Sequence, residues 1–62
     1  MIVYIVTHGY EYEGAEVEGV FASLEDAQRA GMKVLRESHG DASIEVWDAV
    51  TNKRIEVLGV TS

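Results

Sequence analysis

The sequence predicts a two-layer α+β domain, ββαββ, in which one helix packs on one face of a four-stranded antiparallel sheet of order 2-1-3-4. Three observations carry this. Residues 2–7, Ile-Val-Tyr-Ile-Val-Thr, are β-branched or aromatic throughout and apolar on both faces, the pattern of a central strand. Leu24, Ala27, Gly31, Val34 and Leu35 recur at spacings of three and four, an apolar stripe of helical period. Residues 43–50 and 54–60 alternate with period two around a short polar turn.

In chain order, the first strand covers residues 2–7, and His8-Gly9 opens a turn region that reaches Gly14. The second strand, 15–21, alternates: Glu16, Glu18 and Val20 point one way, Val17, Gly19 and Phe21 the other. Ser23 is placed to cap a helix over 24–38, with Asp26 three residues on approximating a capping box. Glu25 and Asp26 oppose the positive helix N-terminus, and Lys33, Arg36 and His39 suit its negative end. Gly31 costs about 1 kcal/mol against Ala in mid-helix, so its place in the apolar stripe predicts close approach to the sheet. Gly40 is a natural left-handed stop.

The third strand, 43–50, sets Ile44 and Val46 against Glu45, Trp47 and Ala49. The turn at 51–53 has Asn52 as the residue best able to take a positive φ. In the fourth strand, Ile55 and Val57 oppose Glu56, Leu58 and Val60. A right-handed crossover through the helix places the third strand beside the first, which centres the doubly apolar strand. The expected inner face is Val3, Ile5, Val17, Phe21, Ile44, Val46, Ile55 and Val57, beneath Leu24, Ala27, Val34 and Leu35. The opposite face then carries Tyr4, Val6, Glu16, Glu18, Val20, Glu45, Trp47, Glu56 and Leu58, with no second layer over it.

Sixty-two residues make one domain, 1–62, with little surface to bury and no cysteine to staple it. Stability has to come from apolar packing, a partner or self-association. No apolar run approaches the roughly 20 residues of a membrane span. Residues 2–6 are too short for a signal-peptide core and lack a basic leader, so the expected location is cytoplasmic. No catalytic constellation, metal set or cofactor fingerprint is read. His8 is taken as a solvated turn residue and His39 as a helix C-terminal cation. The acids lack EF-hand spacing, and Gly9, Gly14 and Gly19 precede no helix N-terminus as a phosphate loop would require.

The net charge of −6 is segregated. Glu11, Glu13, Glu16, Glu18, Glu25 and Asp26 occur before any Lys or Arg, and from Arg29 onward acids and bases balance. Such a field disfavours direct nucleic-acid binding and suits docking on a basic surface. Outward residues along a strand repeat at about 6.7 Å, comparable to phosphates along a nucleic-acid strand. The candidate partner-binding residues are therefore the acids Glu11, Glu13, Glu16, Glu18, Glu45 and Glu56, with Tyr10, Tyr12 and Trp47 as apolar contacts. The same alternation also fits an ordinary solvated strand face, and Trp47 also fits a cross-strand aromatic pair.

The segments Val3-Tyr4-Ile5-Val6-Thr7-His8-Gly9-Tyr10, Glu18-Gly19-Val20-Phe21-Ala22-Ser23-Leu24-Glu25-Asp26-Ala27 and Ile44-Glu45-Val46-Trp47 resemble small uncharacterised domains of phages and prophages. These motifs mark structural joints and carry no assigned activity. In size and acidity the chain is also similar in kind to anti-CRISPR proteins and other inhibitors of host defence, some of which mimic DNA. This resemblance implies an inhibitor, not an enzyme, acting in the host bacterial cell. It would occlude the basic groove of a nucleic-acid-binding defence protein or CRISPR effector complex. The alternative is a structural module that forms a homodimer through its open sheet face.

Overall fold

The computed structural model describes residues 1–10, 14–37 and 40–61, the side chains of residues 10, 14 and 15 apart. The chain runs β1 (Ile2–Tyr10), β2 (Gly14–Phe21), α1 (Leu24–Glu37), β3 (Asp41–Asp48) and β4 (Lys53–Val60). All neighbouring strands are antiparallel in the order β2-β1-β3-β4, and α1 crosses one face. The architecture and strand order are those expected.

The helix begins where the sequence places its cap. Asp26 N–H donates to Ser23 Oγ at 3.3 Å, and Ala27 N–H to the Ser23 carbonyl at 3.1 Å. Arg29 then reaches back to Glu25 at 2.9 Å and Asp26 at 3.6 Å. Gly31 is buried against β4: a Cβ there would stand 2.9 Å from Val60 Cγ2. At the far end, Gly40 takes φ 116°, and a Cβ on it would collide with the Gly9 carbonyl. Asn52 takes φ 57° in the β3–β4 turn. That turn is organised by Asp48, whose Oδ1 accepts N–H groups from Val50 at 2.9 Å and Thr51 at 3.3 Å. Those two backbone bonds hold the Asp48 carboxyl below its ordinary value of 3.8.

Two expectations are corrected. His8 and Gly9 do not open a turn. Both continue β1, pairing with Glu16 and Ala15 on one side and Ala42 and Asp41 on the other. Gly9 marks the close passage of the Gly40 backbone, not a reversal of the chain. His8 is consequently buried, 2% exposed, and not solvated.

The second correction concerns the faces. The core beneath α1 is Val6, Ala27 and Ile44, packed by Tyr4, Phe21, Leu24, Ala30, Leu58 and Val60. Tyr4, Val6 and Leu58 therefore face the helix, and Val3 and Ile5 lie on the other side. In β1 both faces are apolar, so periodicity could not choose between them. The flanking strands choose: Tyr4 pairs with Phe21 and Val46, and Val6 with Ile44.

Two bulges complete the reversal. Between the Val6–Gly19 and Thr7–Val17 pairs, Glu18 is extra; between the Val46–Glu56 and Trp47–Arg54 pairs, Ile55 is extra. The first carries Glu16 to the helix side, opposite His8, and turns Val17 outward opposite Thr7. In β4, Val57 pairs with Glu45 on the outer face, and Glu56 with Val46 on the helix side.

The Gly31–Val60 contact generates a double-mutant prediction. Gly31→Ala gains about 1 kcal/mol of helix propensity but overpacks a stiff side chain, typically at about 1–3 kcal/mol. A net loss of about 1 kcal/mol is expected. In a Val60→Ala background the same substitution should stabilise, giving a coupling of roughly 1–2 kcal/mol in urea unfolding. Additive effects would show that α1 does not approach β4 this closely.

Candidate functional site

The face away from α1 is the candidate site, and backbone pairing assembles it. β1 contributes Val3, Ile5 and Thr7. Their cross-strand partners on β3 are Trp47, Glu45 and Ser43, and on β2 Val20 lies opposite Ile5 and Val17 opposite Thr7. β4 adds Val57 opposite Glu45 and Arg54 opposite Trp47. Val17 is 65% exposed, Val20 60%, Ile55 58% and Val57 49%. Nothing among the described residues covers these side chains. These exposed valines lie on the two edge strands, β2 and β4, with Ile5 and Glu45 between Val20 and Val57, and exposed apolar side chains of this kind mark interaction surfaces.

The polar groups of this face satisfy one another. Trp47 Nε1–H donates to Glu45 Oε1 at 2.9 Å, and Arg54 Nη1 lies 4.0 Å from the same oxygen. Thr7 Oγ1 and Ser43 Oγ are 2.8 Å apart. The half-buried indole thus has its one donor occupied within the sheet, which leaves the ring as an apolar wall. The central charges, Glu45 and Arg54, cancel. Asp41 closes the face at its far end, on the strand position paired with Gly9.

Of the sequence-predicted partner-binding residues, the structure brings Glu45 and Trp47 together on this face. Glu16 and Glu56 stand on the helix side, exposed. Glu18, at the bulge, turns its carboxylate to His8, Oε1 3.6 Å from Nδ1. Glu11, Tyr12 and Glu13, like the Tyr10 side chain and His39, lie outside the described residues. The expected combination of Glu16, Glu18, Glu45, Glu56 and Trp47 on one face is therefore corrected. The bulges at Glu18 and Ile55 divide those acids between two faces and replace them on the open one with Val17 and Val57.

Sequence reasoning missed Val17, Val57 and Arg54 as surface residues of this face. The available signal was local. A strand carrying Val17 and Val20 three apart, with Glu on both sides of Val17, cannot keep both valines on one face without an extra residue.

The helix side holds two shallow grooves. One, between α1 and β2, is lined by Phe21, Asp26, Arg29, Ala30 and Lys33; the other, between α1 and β4, by Gln28, Met32, Ile44, Leu58 and Val60 among others. Among the described residues no cluster of three or more His, Cys, Asp or Glu could hold a metal ion. No described helix is long and apolar enough to cross a membrane.

The assignment of faces is testable by stability alone. Val57→Thr should change monomer stability by no more than about 0.5 kcal/mol, as surface substitutions do. Ile44→Val should cost about 1 kcal/mol because Ile44 is 1% exposed beneath the helix. Urea melts at low protein concentration compare the two, and an equal or reversed ranking would refute the assignment.

No curated protein and no solved structure matches the chain. A family model described as a domain of unknown function, DUF7336, matches residues 1–56, which include β1, β2, α1, β3 and the first half of β4. The chain therefore belongs to the DUF7336 family.

Proposed function

We propose that the chain is a non-catalytic protein-docking module whose working surface is the uncovered face of its sheet. One observation carries this: Val17, Val20, Ile55 and Val57 are each about half or more exposed on a sheet whose other face already holds the core. Apolar side chains spread over a face lose stabilisation while they touch water, and recover it only when something covers them. Trp47, at one end of that face, adds a large, rigid apolar surface to it. Its neighbours Glu45 and Arg54 give a polar spot that fixes orientation.

A photo-crosslinking amino acid at Val57 or Val20, in cells that naturally make the chain, tests this. Discrete adducts are expected from both positions, and none from Gln28, an exposed residue of α1. No adduct from the face, or equal adducts from the helix, would refute the docking face.

A second reading follows from charge. The bulge moves Glu16 and Glu18 to the helix side, the layer that also holds Glu25 and Asp26 at the start of α1. An acidic surface there suits an inhibitor that occupies the basic groove of a nucleic-acid-binding defence complex, such as a CRISPR effector, in the cytoplasm of a bacterial host infected by the phage encoding it. It uses the opposite side of the molecule from the docking face. Glu16→Lys, which leaves the Glu18–His8 contact intact, should then abolish protection of a phage in a host carrying that defence. Full protection by the folded variant would remove this reading.

A further inference from the structure

We infer that β2 has a second way to pair with β1, and that the contact between Glu18 and His8 is the latch that holds it in the bulged one. The latch is a property of the sheet and stands whether or not the open face docks a partner.

His8 is 2% exposed, and its ring sits between two irregularities of the chain. On one side, Nδ1 lies 3.6 Å from Oε1 of Glu18, the extra residue of the β2 bulge. On the other, a Cβ on Gly40 would stand 3.1 Å from Nε2, so the ring is lodged against the segment that enters β3. The imidazole is braced from behind by that backbone and meets the bulge in front.

The hydrophobic pattern of β2 works against the bulge. Glu16-Val17-Glu18 alternates as a regular strand does. In regular pairing Val17 would stand opposite His8 on the helix side, with Glu16 and Glu18 opposite Gly9 and Thr7 on the open side. The structure does the reverse: Val17 is left 65% exposed, and Glu16 shares the helix side with His8. Exposing the valine gives up apolar burial, so a local interaction has to offset that loss.

The regular register lacks what the bulge supplies. Both carboxylates of β2 would lie across the sheet from the ring, and Val17, standing opposite it, has no polar atom to offer Nδ1. The loss of a polar contact at a buried ring nitrogen and the burial of one valine are effects of the same order and opposite sign. Their balance makes two packings of one strand accessible.

The slip is local. The pairs Tyr4–Phe21, Ile5–Val20 and Val6–Gly19 lie beyond the bulge and keep their register, so only residues 14–18 move. The bulged strand leaves three residues between Tyr10 and Gly14. Pairing of Tyr10 with Ala15 would leave about four, and hairpins use both lengths.

The two registers present different surfaces. The bulged one sets Val17 on the open face, and the regular one sets two carboxylates there. A partner with an apolar surface holds the latch shut, and one with a basic surface draws it open.

Solution NMR of the isotope-labelled full chain reads the register from cross-strand nuclear Overhauser contacts, because paired residues of antiparallel strands approach to about 4.5–5.5 Å between Cα atoms. In the wild type Val17 should pair with Thr7. In Glu18→Ala, and in His8→Leu, Val17 should move to pairing with position 8, the ratio of the two registers changing at least about tenfold. Val20 should stay paired with Ile5 throughout. Glu16→Ala removes the same charge from the same strand and leaves the latch in place, so it should keep the Thr7–Val17 pairing.

A folded Glu18→Ala chain that still pairs Val17 with Thr7 would overturn the proposal, since the bulge would then need no latch. A Glu18→Ala chain that circular dichroism shows to be unfolded would overturn it as well, since no second packing would exist. So would a slip in Glu16→Ala, which would assign the bulge to the charge of the strand. Val57 lies on β4, which the slip does not move, so its crosslinks test the docking face separately.

Discussion

The central strand of this molecule is apolar on both faces, and one helix can shield only one of them. A helix with its side chains is about 10 Å across, whereas four strands span roughly 19 Å. That mismatch governs the rest. The fully buried core is small, essentially Val6, Ala27 and Ile44. Close approach of α1 is obtained by removing side-chain volume at Gly31, so that Val60 fits beneath it. Val3 and Ile5, on the strand most deeply placed in the sheet, are left half-buried on the side without a helix.

The same limit explains why chemistry is sorted by layer. On the helix side, β2 carries Glu16 opposite His8 and turns Glu18 toward the sealed imidazole, and α1 opens with two acids held by Arg29. On the other side, among the described residues, Glu45 and Arg54 lie 4.0 Å apart beside Trp47, and Asp41 stands at the far end. The two faces therefore suit different kinds of contact. The helix side meets water or a basic surface, and the open side meets another apolar surface.

Much of this was legible in the sequence where a residue has one physical role. Ser23 caps the helix, Gly40 takes a positive φ ahead of β3, Asn52 turns β3 into β4, and Gly31 admits β4. The topology followed from the doubly apolar first strand. What could not be read was parity. A strand apolar on both faces contains no signal for which side the helix takes, and the bulge in β2 is marked only by the odd spacing of Val17 and Val20. Glu45 and Trp47 were placed correctly because β3 is regular in its pairing with β1; Glu16, Glu18 and Glu56 were not, because each lies on a strand with an extra residue. His8-Gly9 read as a turn because a glycine was given one meaning when it had another, the close passage of a neighbouring backbone.

The extra residue in β2 has an evolutionary consequence. Were Glu18 drawn into regular pairing, Val17 would rotate beneath the helix, and Glu16 and Glu18 would emerge beside Glu45. Point substitution alters one position of a surface at a time. A slip of one residue inverts several together, and the fold, strand order and hairpin survive it. Within such a family, a gain or loss of one residue near the first hairpin would be enough to exchange an oily face for an acidic one, and so to change the partners a lineage can hold without inventing a new scaffold.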